Sequence, residues 1–471
     1  MTKRFLETIT HVFTVALLPL AIAGCGSQSN PPEVSHGPEA LIFAGNDHGL
    51  VSVIEHGGDQ GDVVIKTIPV GSGDIGDIVA TTEGHVFVNV TANNAVAAID
   101  PVVEGAPELR NFLPVGTRPV HIYRDPEGTR VWVMNDGDAT GGSCKTAGTN
   151  DTAISSVTVI QNHELGEEGR GDSAGILGEV IGTICVGRGH HKAAFSEPST
   201  DHPGTPHRVF VSNITDGTIS VINNDPTSDD YLKVIAAIDL CDPAKQAGGC
   251  DTDITTPNNS SPHGIDYSPV SGKIYNANAG YGSVAVINPV TNTIETAIDI
   301  GYSNKAHVSP DGKFLIVKGT DKTSNPNHVI GKLTVIDVMD NSVTQVDITD
   351  VHPDIFESTP DGSKLYVTSA TTGSDAQKSN LRNNVLLVYD TSTLPNLILI
   401  KEITVGVADG SHRALAVHEH DGSAEHIFVP NPADGTVSVI DAEKDEVVST
   451  VDVGGEPSSI LVFPLEGSHA H

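Results

Sequence analysis

The sequence predicts an all-β protein, a single eight-bladed β-propeller of four-stranded antiparallel blades over residues 40–464, and three observations predict it. A short apolar phrase ending in an acidic or amide residue occurs eight times; each copy sits third in a run of four strand-like segments; and one such segment is left over near the C-terminus. The phrase reads GLVSVIE (49–55), NAVAAID (94–100), SSVTVIQ (155–161), GTISVIN (217–223), GSVAVIN (282–288), GKLTVID (331–337), NNVLLVYD (383–390) and GTVSVID (435–441). β-Branched residues alternate with small ones, the pattern of a strand packed on both faces. The spacing of roughly 45–65 residues is that of a propeller blade.

The strand before the phrase is aromatic and β-branched, as in HVFVNVT (85–91), RVFVSNI (208–214) and KLYVTSA (364–370). A hairpin turn often precedes it, as in SPDGK (309–313), where Pro-Asp-Gly supplies the fixed and positive φ values such a turn needs. A fourth strand follows the phrase, as in VIGTICVG (180–187) and VVSTVDVG (447–454). The first strand of each blade begins after the glycine that closes the preceding one, as in PVHIYR (119–124), HGIDYS (263–268) and PDIFES (353–358). The first repeat lacks this strand, and the last copy, 458–464, has no partners after it. Strand 458–464 is therefore expected to join strands 40–71 and close the ring, leaving only short edges. The count gives eight blades, with seven as the competing number.

Residues 1–24 resemble a bacterial lipoprotein signal: Lys3 and Arg4 precede an apolar run from Val12 to Ala23 that ends in Ile22-Ala23-Gly24-Cys25. The resemblance implies that Cys25 carries a lipid and becomes the mature N-terminus, tethering the protein to the membrane. Gly26 after that cysteine points to the outer membrane, facing periplasm or surface. Residues 25–39 are rich in Ser, Pro, Gly and Asn and read as a flexible tether, and 465–471 as a disordered, histidine-containing tail.

The formal net charge of the chain is −34. Removing the signal leaves 24 basic and 59 acidic residues, −35, a surface that repels nucleic acid and draws cations. Four further cysteines in an exported chain suggest two disulfides. Cys144 lies in a long insertion of the repeat whose last strand holds Cys185, and Cys241 and Cys250 bracket one loop, so the pairings 144–185 and 241–250 are favoured.

The paired phrases, such as Val209-Phe210-Val211-Ser212-Asn213 before a VxVID-type strand, resemble the YVTN family of β-propeller repeats across residues 40–464. That resemblance implies a fold, since one propeller scaffold carries binding proteins, enzymes and scaffolds alike.

In a propeller the first strand of each blade lies nearest the axis, so the residues at its entrance converge on the channel mouth. His121, His190, His191, His263, His307, His352 and His412 occupy such entrances. Counted back from the turn glycine, His352 and His412 lie ten residues before Gly362 and Gly422, and His263 nine before Gly272, which puts them on one rim. Converging neutral imidazoles suit zinc or copper. Asp74, ten residues before Gly84, and Asp354 could complete a coordination sphere, while Lys192, Lys305 and Arg413 share the zone. The pair in Gly189-His190-His191-Lys192 resembles the copper-cluster propellers of nitrous oxide reductase and thiocyanate dehydrogenase. With Pro119-Val120-His121 and Pro262-His263-Gly264 it also resembles the eight-bladed periplasmic zinc chaperones. A second copper domain with paired cysteines is missing, which departs from nitrous oxide reductase.

These resemblances imply a non-catalytic, lipid-anchored propeller that binds zinc or copper at a histidine-lined axial site, as chaperone or sensor. Two further readings are a copper oxidoreductase acting on a small inorganic anion and a metal-free scaffold for another envelope protein. No Cys-x-x-Cys-His, Gly-x-Ser-x-Gly or phosphate-binding glycine loop is present to suggest haem, hydrolase or nucleotide chemistry. His418 and His420, flanking Glu419, and the tail histidines His469 and His471 read as loose surface pairs.

Overall fold

The repeated strands fold as their periodicity dictates. The computed structural model describes residues 37–101, 106–137, 155–165 and 176–465. The signal segment with Cys25, most of the tether, Cys144 and the tail therefore lie outside the described residues. Eight four-stranded antiparallel sheets form an eight-bladed propeller. Blades 2 to 8 run from 75 to 114, 119 to 185, 193 to 239, 262 to 299, 305 to 349, 353 to 404 and 416 to 452. Blade 1 is composite: strands Ala40–Asn46, Leu50–His56 and Val63–Pro69 are completed by Pro457–Pro464, which pairs antiparallel with Ala40–Asn46. The expected ring closure is thus the observed one.

Burial follows strand position within a blade. In blade 2 the second strand, Val86–Val90, is buried throughout, and the third, Ala95–Asp100, is buried except for its terminal aspartate. The outermost strand of blade 5, Thr293–Asp299, is exposed except at one residue. Both faces of the middle strands are covered because each blade packs on two neighbours, with one apolar cluster per junction. Phe43, Val53 and Phe463 of blade 1 meet Val86 and Val88 of blade 2, and Trp132 and Val157 of blade 3 meet Val209 of blade 4. The turn glycines Gly312 and Gly362 have φ of 75° and 69°, a region that favours glycine and fits the Pro-Asp-Gly reading.

Cys241 and Cys250 form a disulfide across their loop. Cys185 is disulfide-bonded, and its expected partner Cys144 is among the residues not described. No helix among the described residues is long and apolar enough to cross a membrane.

The innermost strands set up the site. They pack on one another around the axis, blade 2 against blades 1 and 3, and blade 5 against blades 4 and 6. In five of them the pairing register slips at the channel entrance, between Ile75 and Ile78, Pro119 and His121, Pro262 and Gly264, Pro353 and Phe356, and Pro457 and Ser459. Such bulges bend a strand and re-aim the side chains they carry. The residues they re-aim include Asp77, His121, His263 and Asp354.

Candidate metal centre at the channel mouth

A cavity of about 950 Å³ opens at this end of the axis, lined by His121, His190, His263, His307 and His352 and by Lys192, Lys305, Lys318 and Arg413. Two of the imidazoles meet. Nε2 of His121 lies 2.8 Å from Nε2 of His190. The other ring nitrogen of each faces a carboxylate: His121 Nδ1 is 2.5 Å from Asp77 Oδ2, and His190 Nδ1 is 2.6 Å from Asp136 Oδ2. A carboxylate accepts, so each Nδ1 carries the proton and donates it, and each Nε2 is left with its lone pair. Lys192 Nζ also approaches His121 Nδ1, at 3.1 Å. The shorter contact to Asp77 decides the tautomer, since the alternative would set a carboxylate oxygen against a lone pair.

The two lone pairs therefore point at one place, which calls for a cation between them. A proton on His121 does not fill that place at neutral pH. Burial, reinforced by the Lys192 ammonium, lowers the pKa of His121 to about 4. Asp77 stays ionised: burial alone would raise its pKa, but the charge and hydrogen bond of His121 outweigh it and leave it at about 2. The Asp77 side chain is 45% exposed, on the wall of the cavity it lines.

His263 adds a third ring. It stacks on His190 with centroids 5.1 Å apart and planes within 15°, and its Nδ1 is buried without a hydrogen-bond partner. Burial, then the Lys192 charge, lowers its pKa to about 2, so it too is a neutral imidazole. The ring nitrogens of His121, His190 and His263 do not form a closed triad: the groups of three donors within 4.8 Å of one another among the described residues lie elsewhere.

The opposite wall holds a second set of groups. Lys318 Nζ is 3.4 Å from Asp354 Oδ1, and Ser411 donates its hydroxyl to Asp354 Oδ2. His352 lies beside them with a buried, unpartnered Nδ1, its pKa lowered to about 3 by burial and by Lys318. His307 stands edge-on to Phe356 at 5.3 Å, its Nδ1 3.7 Å from Asp266. Burial, with repulsion from Lys305, lowers the pKa of Lys192 and of Lys318 to about 8, although Asp77 and Asp354 oppose the shift.

Not every histidine expected at the mouth arrives there. His191 is fully buried; its Nδ1 lies 2.8 Å from Asp136 Oδ1 and its Nε2 2.8 Å from the Gly187 carbonyl. Adjacent residues diverge, so only His190 of the doublet reaches the cavity, while His191 braces the carboxylate that orients it. His412 is fully buried, its Nδ1 donating to the Pro430 carbonyl at 2.8 Å and its Nε2 3.3 Å from the Asn383 carbonyl. Both rings are engaged by protein acceptors, so the expectation that they are metal ligands is corrected. Asp74 is exposed and does not line the cavity; the bulge after Ile75 brings Asp77 in instead. Arg413 reaches the rim from a backbone with φ of 62°.

Asp77 and Asp136 are the functional residues that sequence reasoning missed. Asp136 does leave a trace. It follows the last residue of its blade's second strand, Asn135, where blade 1 also carries an aspartate, Asp47, and blades 4, 5, 7 and 8 carry Ile214, Ala279, Ala370 and Pro432.

No protein-family model matches the chain, and no curated protein matches it. Solved structures do. AztD from Citrobacter koseri superposes with a TM-score of 0.53 and 15% identity, over 93% of this chain and 100% of that one. The dihydro-heme d1 dehydrogenase NirN, solved with DHE, gives 0.54 and 12%, over 92% of this chain and 77% of that one. A functionally unknown protein from Desulfotomaculum acetoxidans gives 0.51 and 12%, over 91% and 100%. At such identities the likeness shows the shared propeller fold.

Proposed function

We propose that this propeller reversibly binds a zinc or copper ion at the mouth of its axis, between His121 and His190, with His263 as the neighbouring imidazole. One observation carries the reading: two carboxylate-held imidazoles present unprotonated nitrogens to each other 2.8 Å apart. At the usual metal–nitrogen distance of ~2.0–2.1 Å, cis ligands at the 90° of a square-planar copper site sit about 2.9 Å apart, and ligands of a tetrahedral zinc about 3.3 Å. Neutral nitrogen donors backed by carboxylates suit zinc and copper better than calcium or magnesium. Two fixed protein ligands leave the remaining positions open to the cavity, which fits an ion that is exchanged rather than locked in. The work of such a site is carriage or sensing of the metal. The cell-envelope setting and lipid tether belong to the same reading and rest on the lipoprotein-like N-terminus.

The test is metal content and affinity in the full chain. The protein should bind zinc or copper tightly, and His121→Ala with His190→Ala should remove one equivalent while the circular dichroism spectrum stays that of the parent. A double variant that holds as much metal as the parent would overturn the reading.

A second reading, oxidation of a small inorganic anion by bound copper, has its own observation. Lys192, Lys305, Lys318 and Arg413 converge on one cavity in a protein of net charge −34. Lys192→Met discriminates between the two. Removing a neighbouring cation should tighten metal binding where carriage is the function, and should abolish protection of the site by added anion where anion chemistry is.

A further inference from the structure

A second cluster of histidines lies outside the channel-mouth cavity, where the first and last blades meet. His56 ends the third strand of blade 1, and His418 and His426 are direct cross-strand partners in blade 8. One ligating atom from each of the three falls within 4.8 Å of the others. Glu39 and Glu425 offer carboxylate oxygens within the same distance of His418 and of each other.

The details repeat the chemistry of a metal-binding imidazole. His56 Nδ1 lies 2.5 Å from Asp62 Oδ1, so Nδ1–H donates to the carboxylate and Nε2 is left with its lone pair. That Nε2 is 3.1 Å from His426 Nδ1, near the ~3.3 Å that separates two nitrogens on a tetrahedral zinc ion. Ring centroids of His56 lie 4.5 Å from His426 and 5.4 Å from His418, both edge-on, while the His418 and His426 rings run nearly parallel to each other 6.3 Å apart. Oε2 of Glu425 is buried with no hydrogen-bond donor, 3.7 Å from His418 Nδ1. A buried carboxylate oxygen without a donor is costly unless a cation meets it. His56 and His418 are almost fully buried, whereas His426 and Glu425 are partly open, which leaves an entry path.

The geometry points to a second metal site, held by His56, His418 and His426 with Glu425 as fourth ligand, that takes a zinc-class divalent ion and fastens blade 8 to blade 1. Three nitrogens mutually within 4.8 Å, with the Glu425 carboxylate beside His418, offer more protein donors than the open pair at the axis. The ligands come from residue 56 on one side and 418–426 on the other, so the ion bridges the two blades on either side of the chain's own closure. Its role is structural: it binds the closed ring and not the open chain, and stabilises it by mass action.

The test uses the full chain carrying His121→Ala and His190→Ala, so that the axial pair is out of play, and zinc alone as the probe. One equivalent should remain bound and should raise the thermal midpoint. His426→Gln in that background should remove both the equivalent and the midpoint rise. Asp62→Asn, outside the ligand set, should weaken zinc binding about 10- to 100-fold with the fold intact, and it carries the test if His426→Gln does not fold. Absence of bound zinc in the axial variant, or zinc retained at full affinity after either closing-site substitution, would overturn the inference. Failure of the axial reading looks different: there, substituting His121 and His190 changes no stoichiometry, while His426→Gln still costs one equivalent.

Discussion

Asp136 decides which nitrogen of His190 faces the cavity. One of its oxygens accepts from His190 and the other from both the ring and the backbone N–H of His191, so a single buried carboxylate fixes both imidazoles. Its pKa lies well below the usual carboxylate range; burial alone would raise it, and the two histidines more than reverse that. An amide cannot do the same work. In Asp136→Asn the NH2 group faces one of the rings, which then carries its proton on Nε2. If that ring is His190, the lone pair offered to metal is lost. Zinc affinity measured by chelator competition should fall about 10- to 100-fold in Asp136→Asn, with Asp74→Asn, on an exposed residue outside the cavity, unchanged. Unchanged affinity in Asp136→Asn would remove the case for a carboxylate-oriented ligand.

At the scale of the strand, regularity was legible and departures from it were not. Alternation and spacing set out the four strands per blade, the eight blades and the closing strand, because packing on both faces imposes period two on every copy. Counting residues back from a turn glycine assumes unbroken pairing. The bulges at Ile75–Ile78 and Pro353–Phe356 break it, which is why the count selects Asp74 where the fold presents Asp77. Asp136 and the His56–His418 pairing come from different blades, and no single strand's pattern brings them together. The closing strand is a place where the regular reading has energetic force. Phe463 is buried there, edge-on to Phe43 with centroids 6.4 Å apart, in the cluster that joins blades 1 and 2. Phe463→Ala should cost about 3–5 kcal/mol by urea denaturation. Val448→Ala, on the exposed outer strand of blade 8, should stay within about 0.5 kcal/mol, and equal costs would contradict the assigned closure.

For the whole molecule, two electrostatic effects oppose each other as pH falls. A net charge of −34 repels itself, and protonating surface carboxylates relieves that repulsion and favours the compact state. The buried imidazoles work the other way. The folded pKa values of His121, His263 and His352 are lowered from 6.5 to about 4, 2 and 3, in each case first by burial and then by neighbouring lysines. Below pH 6.5 the unfolded chain takes up protons that the folded one refuses, so the stability of the metal-free protein is full above 6.5 and declines as pH drops towards 4. The slope is at most about 1.4 kcal/mol per pH unit for each ring. Salt separates the two effects, because it screens exposed carboxylates with a Debye length of ~3 Å at 1 M and leaves buried rings largely unscreened. In 1 M salt the urea midpoint of the metal-free protein should therefore fall steadily from pH 6.5 to 5, more steeply than in dilute buffer, where relief of surface repulsion offsets part of the loss. His352→Asn should make the high-salt slope shallower by removing one titrating ring without touching the His121–His190 pair. A flat profile in 1 M salt would mean that the channel histidines are not held neutral, and the metal-binding reading would lose its supply of unprotonated nitrogens.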